Sequence, residues 1–213
     1  MSGMLLKLLR NRFARSGWAR HVLDSGPGTD VGDSMTDEVA DFMQTISTGV
    51  YVIGVCDGKR TNAFTASSVV PVSFKPVMVA MAVGIQHASR PILRAGRAFT
   101  INVLKRDQIE VASHFGTVSG RDLNKLSGVR WRAGLSGAPV LVDALAYMEC
   151  ELASIVAAGD HELALGRVVD GAVLNGDEQP LLYRDTHNLD GAHELYPPQL
   201  RDTVGAHPFT LRC

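Results

Sequence analysis

The stretch from Asn62 to Ser73, NAFTASSVVPVS, carries residue types suited to holding a flat ligand. It alternates hydroxyl-bearing and small side chains where a buried strand normally carries bulk. Small side chains let a ligand approach the backbone, whose N–H groups can then donate hydrogen bonds, and the Thr and Ser hydroxyls add donors without charge. A ring system with polar edges and a phosphate tail, such as a flavin, would fit. The alternative is a polar edge strand that holds no ligand.

A second candidate is the segment Gln86–Pro91, QHASRP. Ser89 and Pro91 are typical of a helix start, and the spacing predicts a short helix over 92–95. The free N–H groups of a helix start, together with the Arg90 guanidinium, can bind an anion such as a phosphate. The same residues also fit an ordinary capped helix.

Composition narrows the class of protein. The chain has 213 residues, 46% hydrophobic and 20% charged, with a net charge of −1, which indicates one globular domain and no nucleic-acid partner. The sequence has no GxGxxG or Walker motif, so the usual nucleotide-binding motifs are missing. It also has no CxxC and no Cys/His cluster with metal spacing, so we expect no metal. Cys56, Cys150 and Cys213 are far apart, which favours free thiols in a reducing, cytoplasmic compartment. No apolar run reaches the ~18 residues of a membrane helix, so no membrane partner is expected.

The predicted elements are mostly strands arranged in hairpins. Apolar and β-branched runs predict strands over 50–56, 77–83, 98–104, 139–141, 144–157, 161–173 and 181–183. Asp57-Gly58 predicts a hairpin turn after the first strand, so that Asn62–Ser73 is the return strand. Helices are predicted over 107–115 and, with Thr36 as N-cap and Val39, Phe42, Met43 and Ile46 inward, near the start of the domain. This pattern favours an antiparallel barrel over a doubly wound sheet.

The ends of the chain differ from its centre. Residues 1–34 form a basic extension and a linker, with Lys7, Arg10, Arg12, Arg15 and Arg20 and no acid among the first twenty or so residues. This extension is either mobile or a docking helix. Residues 35–187 are predicted to be the barrel, and 188–213 a C-terminal arm or tail.

Six short segments, in this order, resemble a known family. They are STGV at 47–50, NAFTASS with PVS at 62–73, AFTINVL at 98–104, GAPVL at 137–141, AYMEC at 146–150, and GDH with LGRV at 159–168. Together they resemble the flavin reductase-like family, the FMN-binding split barrels that serve two-component monooxygenases. The resemblance covers residues 35–184.

The resemblance implies a mainly β protein with short helices, a six-stranded antiparallel Greek-key split barrel. It also implies a homodimer with one flavin, FMN or FAD, per subunit, NADH or NADPH as co-substrate, and an oxygenase partner. Two alternatives stay open. One is a split-barrel flavoprotein whose tightly bound flavin acts as an oxidase or reductase on another substrate, and the other is a non-catalytic flavin-binding module.

The family's functional positions map onto residues of this chain. His161 matches the histidine of the Gly-Asp-His turn near nicotinamide and flavin, although a lone histidine after a turn is also commonly a solvated or structurally bonded residue. The expected flavin contacts are the following: for ring and ribityl chain Thr65, Ala66, Ser67 and Ser68; for the phosphate Ser89 and Arg90; for closure over the tail Phe115, Gly116 and Arg121.

The sequence departs from the family at Ala63, at Lys75-Pro76 and in the loop 122–126, which lacks the usual aromatic residue. These departures leave open whether FMN or FAD is bound.

Overall fold

The structure is a computed structural model that describes residues 38–121 and 123–197. The predicted extension at 1–34, the N-cap at Thr36 and the arm beyond residue 197 lie outside the described residues. The first helix, α1, spans Glu38–Gln44. Val39 is buried, whereas Phe42 and Ile46 are about half exposed, at 47% and 50%. The predicted apolar face of this helix is therefore only partly correct.

The remaining elements follow the predicted alternation of strands and short helices. The strands are β1 (Tyr51–Cys56), β2 (Thr61–Ala66), β3 (Val69–Phe74), β4 (Val77–Gly84), β5 (Ala98–Val103), β6 (Trp131–Ala133), β7 (Pro139–Leu141), β8 (Ala146–Ala158) and β9 (His161–Val173). The helices are α2 (Arg90–Gly96) and α3 (Ile109–Thr117), and two 3₁₀ helices span Tyr183–Thr186 and Ala192–Leu195.

Seven strands form one antiparallel sheet in the order β2-β1-β5-β8-β9-β4-β3. Its two edge strands, β2 and β3, are consecutive pieces of one stretch that is interrupted at Ser67 and Ser68. Counting them as one bent strand gives six strands, and the continuous chain links the two edges of the sheet. The predicted fold class, a mainly β antiparallel split barrel with short helices, is confirmed.

The β1–β2 hairpin forms because of the turn residues between its strands. Gly58 has a φ of 82°, a left-handed value that glycine adopts without strain. The Asp57 carboxylate accepts hydrogen bonds from the backbone N–H groups of Lys59 and Arg60, at 3.0 and 2.7 Å. This turn sets the register in which Val52 faces Thr65, and so fixes the position of β2.

Two apolar clusters lie on opposite faces of this part of the sheet. The inner one includes Ile53, Phe64 and Phe99, and the outer one packs Val52 and Ala63 of the strands against Phe115 and Ala112 of α3. Both clusters therefore fix β2, one through each face.

A buried asparagine ties three strands together. Asn102 on β5 is fully buried; its Nδ2 donates to the Val52 carbonyl at 2.9 Å, and its Oδ1 accepts from the Leu141 N–H at 2.7 Å. Buried polar groups stabilise a fold only when they are satisfied in this way.

One predicted strand is wrong. Around Leu181–Tyr183 the chain forms isolated bridges, between Leu182 and Gly49 and between the preceding Pro180 and Lys105, and then turns into the first 3₁₀ helix. Among the described residues, no helix has the length and apolar character needed to cross a membrane.

Candidate functional site

A cavity of about 280 Å³ opens beside the end of β2. Strands, helices and the first 3₁₀ helix all contribute to its wall. The lining residues are Val50, Phe64, Thr65, Ala66, Ser67, Ser68, Ala82, Val83, Gly84, His87, Ala112, Gly116, Thr117, His161, Tyr183, Thr186, Leu189 and Asp190. Mixed apolar and polar lining of this kind is typical of small-molecule sites.

The open edge of β2 faces this region. Within the described sheet β2 has only β1 as a neighbour, so its outer edge carries no strand partner. The Ala63 N–H is bonded to the Asn62 side chain rather than to β1, at 2.9 Å. Because alternate N–H groups point to the same edge, the N–H of Thr65 also points outward. The edge can thus offer a backbone donor to a planar ligand.

The Thr65 hydroxyl has a structural partner. Its Oγ1 donates to the Ala112 carbonyl of α3 at 2.7 Å, which fixes the strand against the helix. Gly116, near the end of α3, lies so close that a Cβ added there would be 3.4 Å from the Thr65 Cβ. A larger residue at 116 would press on Thr65 and narrow the cavity. The ring contact of Thr65 stays a prediction, and since its hydroxyl is engaged, the group left for such a contact is the backbone N–H.

His161 begins β9 and stands opposite Gly84 of β4 in the antiparallel register. Its side chain is half exposed, and its Nδ1 is 2.8 Å from the Asp160 Oδ1. A Cβ placed on Gly84 would be 3.8 Å from the His161 Nε2. The absence of a side chain at Gly84 leaves open the space into which that nitrogen projects. In a neutral ring that donates from Nδ1 to Asp160, Nε2 is a hydrogen-bond acceptor.

A second histidine, His87, lines the same cavity. Its ring packs on Phe64 with 4.4 Å between centroids, and its Nδ1 accepts the Ser89 N–H at 3.2 Å. Burial, reinforced by the positive charges of Lys125 and Arg121, lowers the pKa of His87 to about 4. At neutral pH the ring is uncharged, and because Nδ1 is the acceptor, Nε2 carries the proton.

The C-terminal segment closes another side of the cavity. Tyr183, Leu189 and Asp190 line it, and the Tyr183 hydroxyl donates to Asp190 Oδ1 at 3.1 Å. Burial, with the Asp190 charge, raises the pKa of Tyr183, which keeps the phenol protonated. Leu189 also packs against the outer apolar cluster. The described beginning of the predicted arm thus forms part of the barrel's cavity wall.

Ser89 and Arg90 lie outside the cavity lining. Ser89 is fully buried and its hydroxyl accepts from the Asn62 amide at 3.1 Å. Arg90 donates to both carboxylate oxygens of Glu162, at 2.8 and 2.7 Å, and Arg94 binds the same carboxylate. These hydrogen bonds lower the pKa of Glu162 to about 2. Two guanidinium groups share one carboxylate, so the cluster keeps one net positive charge. The predicted contact of Arg90 with a flavin phosphate stays a prediction.

Phe115 and Arg121 also lie away from the lining. Phe115 is buried at 1% exposure in the outer cluster. The exposed Arg121 guanidinium donates to the Gln86 carbonyl at 3.2 Å. This bond joins the loop after α3 to the loop before α2, and so bridges the two segments that flank the open edge of β2.

The structure thus brings together Thr65, Ala66, Ser67, Ser68, Gly116 and His161 of the sequence-predicted site. It adds His87, Gly84 and the pair Tyr183–Asp190, which sequence reasoning missed. The sequence alone does not mark Gly84 as a site residue. Its importance is visible only when β4 is paired with β9, because it then lies opposite His161. Within the described residues, no group of acidic, Cys and His side chains could hold a metal.

Comparison with protein families gives one match over most of the described chain. The flavin reductase like domain family matches residues 43–190. The matched segment contains the cavity and every sequence-predicted site residue.

Two curated proteins illustrate the range of relatives. A high molecular weight rubredoxin from Moorella thermoacetica is 33% identical over 149 residues, 69% of this chain and 65% of the rubredoxin, so the match spans less than two thirds of that protein. The reductase subunit HsaB of a flavin-dependent monooxygenase from Rhodococcus jostii is 28% identical over 159 residues, 75% of this chain and 80% of HsaB.

Among solved structures, the NADH:FAD oxidoreductase SgcE6 of Streptomyces globisporus has a TM-score of 0.65 and 28% identity. The alignment covers 75% of this chain and 96% of SgcE6. The same protein in complex with NAD and FAD fragments gives a TM-score of 0.64.

Proposed function

The chain belongs to the flavin reductase-like domain family, and from this premise we propose that it is an NAD(P)H-dependent flavin reductase that supplies reduced FMN or FAD to a partner monooxygenase. One observation carries the proposal: the open edge of β2 and His161 meet in a single cavity. The names of HsaB, a reductase subunit, and SgcE6, an NADH:FAD oxidoreductase, support the reaction class.

The residues of the cavity fit a flavin. The Thr65 N–H on the open edge can donate to a ring carbonyl, while Ala66 and Gly84 leave room for a planar ring. When bound, the flavin supplies an acceptor for the hydride, two electrons with one proton, that a reduced nicotinamide gives up. The protein's own task is to align the two rings and to exclude water, so it requires no pair of catalytic carboxylates.

We assign the binding and orientation of the nicotinamide to His161. Its Nε2 projects toward the gap above Gly84 and, with Nδ1 bonded to Asp160, can accept a hydrogen bond from a carboxamide N–H. Such a bond fixes the nicotinamide relative to the flavin. Tyr183 and Leu189 line the same cavity and help to exclude water from the reacting atoms.

The assembly we propose is a symmetric homodimer. Apolar side chains are exposed on β3 and at the end of β9, namely Val72 at 50%, Phe74 at 91% and Val173 at 68%. Apolar patches of this kind commonly mark interfaces. A dimer peak in size-exclusion chromatography with light scattering is expected at micromolar concentration, and a monomer there would contradict the assignment.

The experiment that tests the function replaces His161 with Ala. Because β2 is unchanged, we expect flavin to bind as in the wild type, while anaerobic single-turnover reduction by NADH or NADPH slows at least about tenfold, a barrier increase of ~1.4 kcal/mol. Dithionite, which needs no nicotinamide site, should reduce both proteins equally. His187→Asn, an exposed histidine outside the cavity, is the matched control.

The outcomes separate the roles of His161. Wild-type rates in His161→Ala would show that the histidine is only a turn residue. Loss of flavin binding would instead assign His161 to the flavin site, and the nicotinamide would have to bind elsewhere.

A second candidate function is favoured by one comparison. The rubredoxin relative, at 33% identity, extends well beyond the segment that matches this chain. In this alternative the flavin stays tightly bound and passes electrons to another acceptor. A flavin that co-purifies and does not exchange with free flavin would support it.

A further inference from the structure

A second cavity, of about 620 Å³, lies along the same strand as the first. Arg60, Thr61 and Asn62, at the start of β2, line it. The first cavity is lined by Phe64 to Ser68, at the end of that strand. Asn62 and Ala66 are four residues apart, which corresponds to about 13 Å along a strand. The two cavities are therefore close enough for one extended ligand to reach both.

A buried lysine lies on the wall of the second cavity. Lys125 is only 3% exposed, and its Nζ donates to the Phe115 carbonyl at 2.8 Å. An ammonium group has three donors, so two remain for other partners. Among the residues that the structure describes, no carboxylate lies within ion-pair distance of this Nζ.

The charge of Lys125 also affects His87, which lines the first cavity. This charge, together with that of Arg121, is one reason why the pKa of His87 is low. The Arg121 guanidinium reaches the Gln86 carbonyl, next to His87. The two cations thus belong to the region where the cavities approach each other. A phosphate placed there would balance their charge.

Part of the lining of the second cavity is apolar and aromatic. Trp131 of β6, which is 36% exposed, lines it together with the buried Ile92 and Leu126. An indole beside aliphatic side chains offers a flat surface on which a purine base can stack. Asn124 also lines this cavity, and its amide N–H groups can donate to a sugar or to a base edge.

We propose that the second cavity holds the adenosine phosphate half of FAD, so that Lys125 binds the phosphates, Trp131 stacks on the adenine, and the protein selects FAD over FMN. This inference rests on the proposed function, which places the flavin ring in the first cavity. It specifies which flavin is used, a choice that the sequence left open.

The test measures dissociation constants of riboflavin, FMN and FAD for the full chain and its variants. In the wild type, FAD should bind at least about tenfold more tightly than FMN. Trp131→Ala should weaken FAD about five- to hundredfold and leave FMN and riboflavin unchanged, because only FAD carries an adenine. Trp131→Phe, which keeps an aromatic ring, should retain part of the preference for FAD over FMN. Leu135→Ala, at an exposed position outside both cavities, is the control.

Lys125→Met tests the phosphate contact with a side chain of similar length. We expect FMN and FAD to weaken about tenfold while riboflavin, which has no phosphate, is unaffected. If Arg90→Ala rather than Lys125→Met removes the difference between FMN and riboflavin, the phosphate lies at Arg90 and the assignment to Lys125 is wrong. Trp131 is at the surface, so its variants decide the adenine contact even if Lys125→Met does not fold.

Other outcomes overturn the inference in distinguishable ways. Equal affinity of the wild type for FMN and FAD would refute it and leave the reductase proposal intact. A raised KM for NADH in Trp131→Ala, with unchanged FAD affinity, would assign the cavity to the nicotinamide dinucleotide and refute the FAD assignment. A wild type that binds no flavin at all would refute the proposed function itself.

Discussion

The buried histidine of the cavity makes stability depend on pH in a way that can be calculated. His87 has its pKa lowered from 6.5 to about 4, mainly by burial. The unfolded chain therefore binds a proton at this residue between pH 6.5 and 4, where the folded protein does not. Its contribution to stability is fully present above pH 6.5 and is lost as the pH falls through this window. His87→Gln, which is neutral throughout, should remove the effect.

The magnitude follows from the pKa values. One pKa unit corresponds to about 1.4 kcal/mol, so a fall from 6.5 to about 4 amounts to about 3 kcal/mol once the pH is below both values. Between pH 7 and pH 4.5, about 2 kcal/mol of this should be lost. At pH 4.5 Asp57 and Glu162 stay ionised in the folded protein, because their pKa values are both about 2.

The assay is urea unfolding of wild type and His87→Gln at pH 7 and pH 4.5. The wild type should lose about 2 kcal/mol more unfolding free energy over this interval than the variant. His187→Asn, which removes an exposed imidazole at a left-handed position that asparagine tolerates, should behave as the wild type. If the unfolding free energies of wild type and His87→Gln depended on pH in the same way, His87 would not be a buried, neutral imidazole. The uncharged Nε2–H group that it presents in the cavity would then be refuted as well.

Further predictions concern the cavity, the core and the phosphate contact. Gly84→Leu should project into the space beside His161 and abolish NAD(P)H-dependent reduction, while far-ultraviolet circular dichroism stays unchanged; retained activity would show that this space is not used. Asn102→Ala leaves the buried Leu141 N–H without its acceptor and removes a donor from the Val52 and Pro139 carbonyls, so it should cost roughly 1–3 kcal/mol in urea unfolding, against less than 1 for Asn175→Ala at a less buried site. Burial lowers the pKa of Lys125 to about 8, so FMN affinity should fall as the pH rises above 8, whereas riboflavin affinity should not; parallel pH profiles would argue against the lysine contact.

Local patterns were sufficient to predict much of the barrel. β9 has the predicted bounds, His161–Val173, because the turn at Gly159-Asp160 and the strand pattern after it are both strong signals. The segment Leu181–Tyr183 was predicted as a strand from its apolar character alone. Leu181 exchanges backbone hydrogen bonds with Val50 and Leu104, as a strand residue would, but Tyr183 begins a 3₁₀ helix and its hydroxyl pairs with Asp190.

The candidate site was predictable only where its residues are adjacent in sequence. Thr65 to Ser68 form one continuous stretch, and their small side chains are visible in the sequence. The partner of Arg90 is Glu162, which is 72 residues away, and no local pattern shows that its charge is already paired. His87 gave no signal either, because its low pKa arises from burial and from two cations in a distant loop.

The most direct test of the proposed reductase activity counts flavin molecules reduced per chain. A small amount of protein is mixed anaerobically with NADH or NADPH and a large excess of free FMN or FAD, and the loss of visible flavin absorbance is followed. Each chain should reduce many flavin molecules, and FAD should be used at a lower concentration than FMN. Reduction that stops at one flavin per chain, or that is no faster than without protein, would contradict the proposed activity.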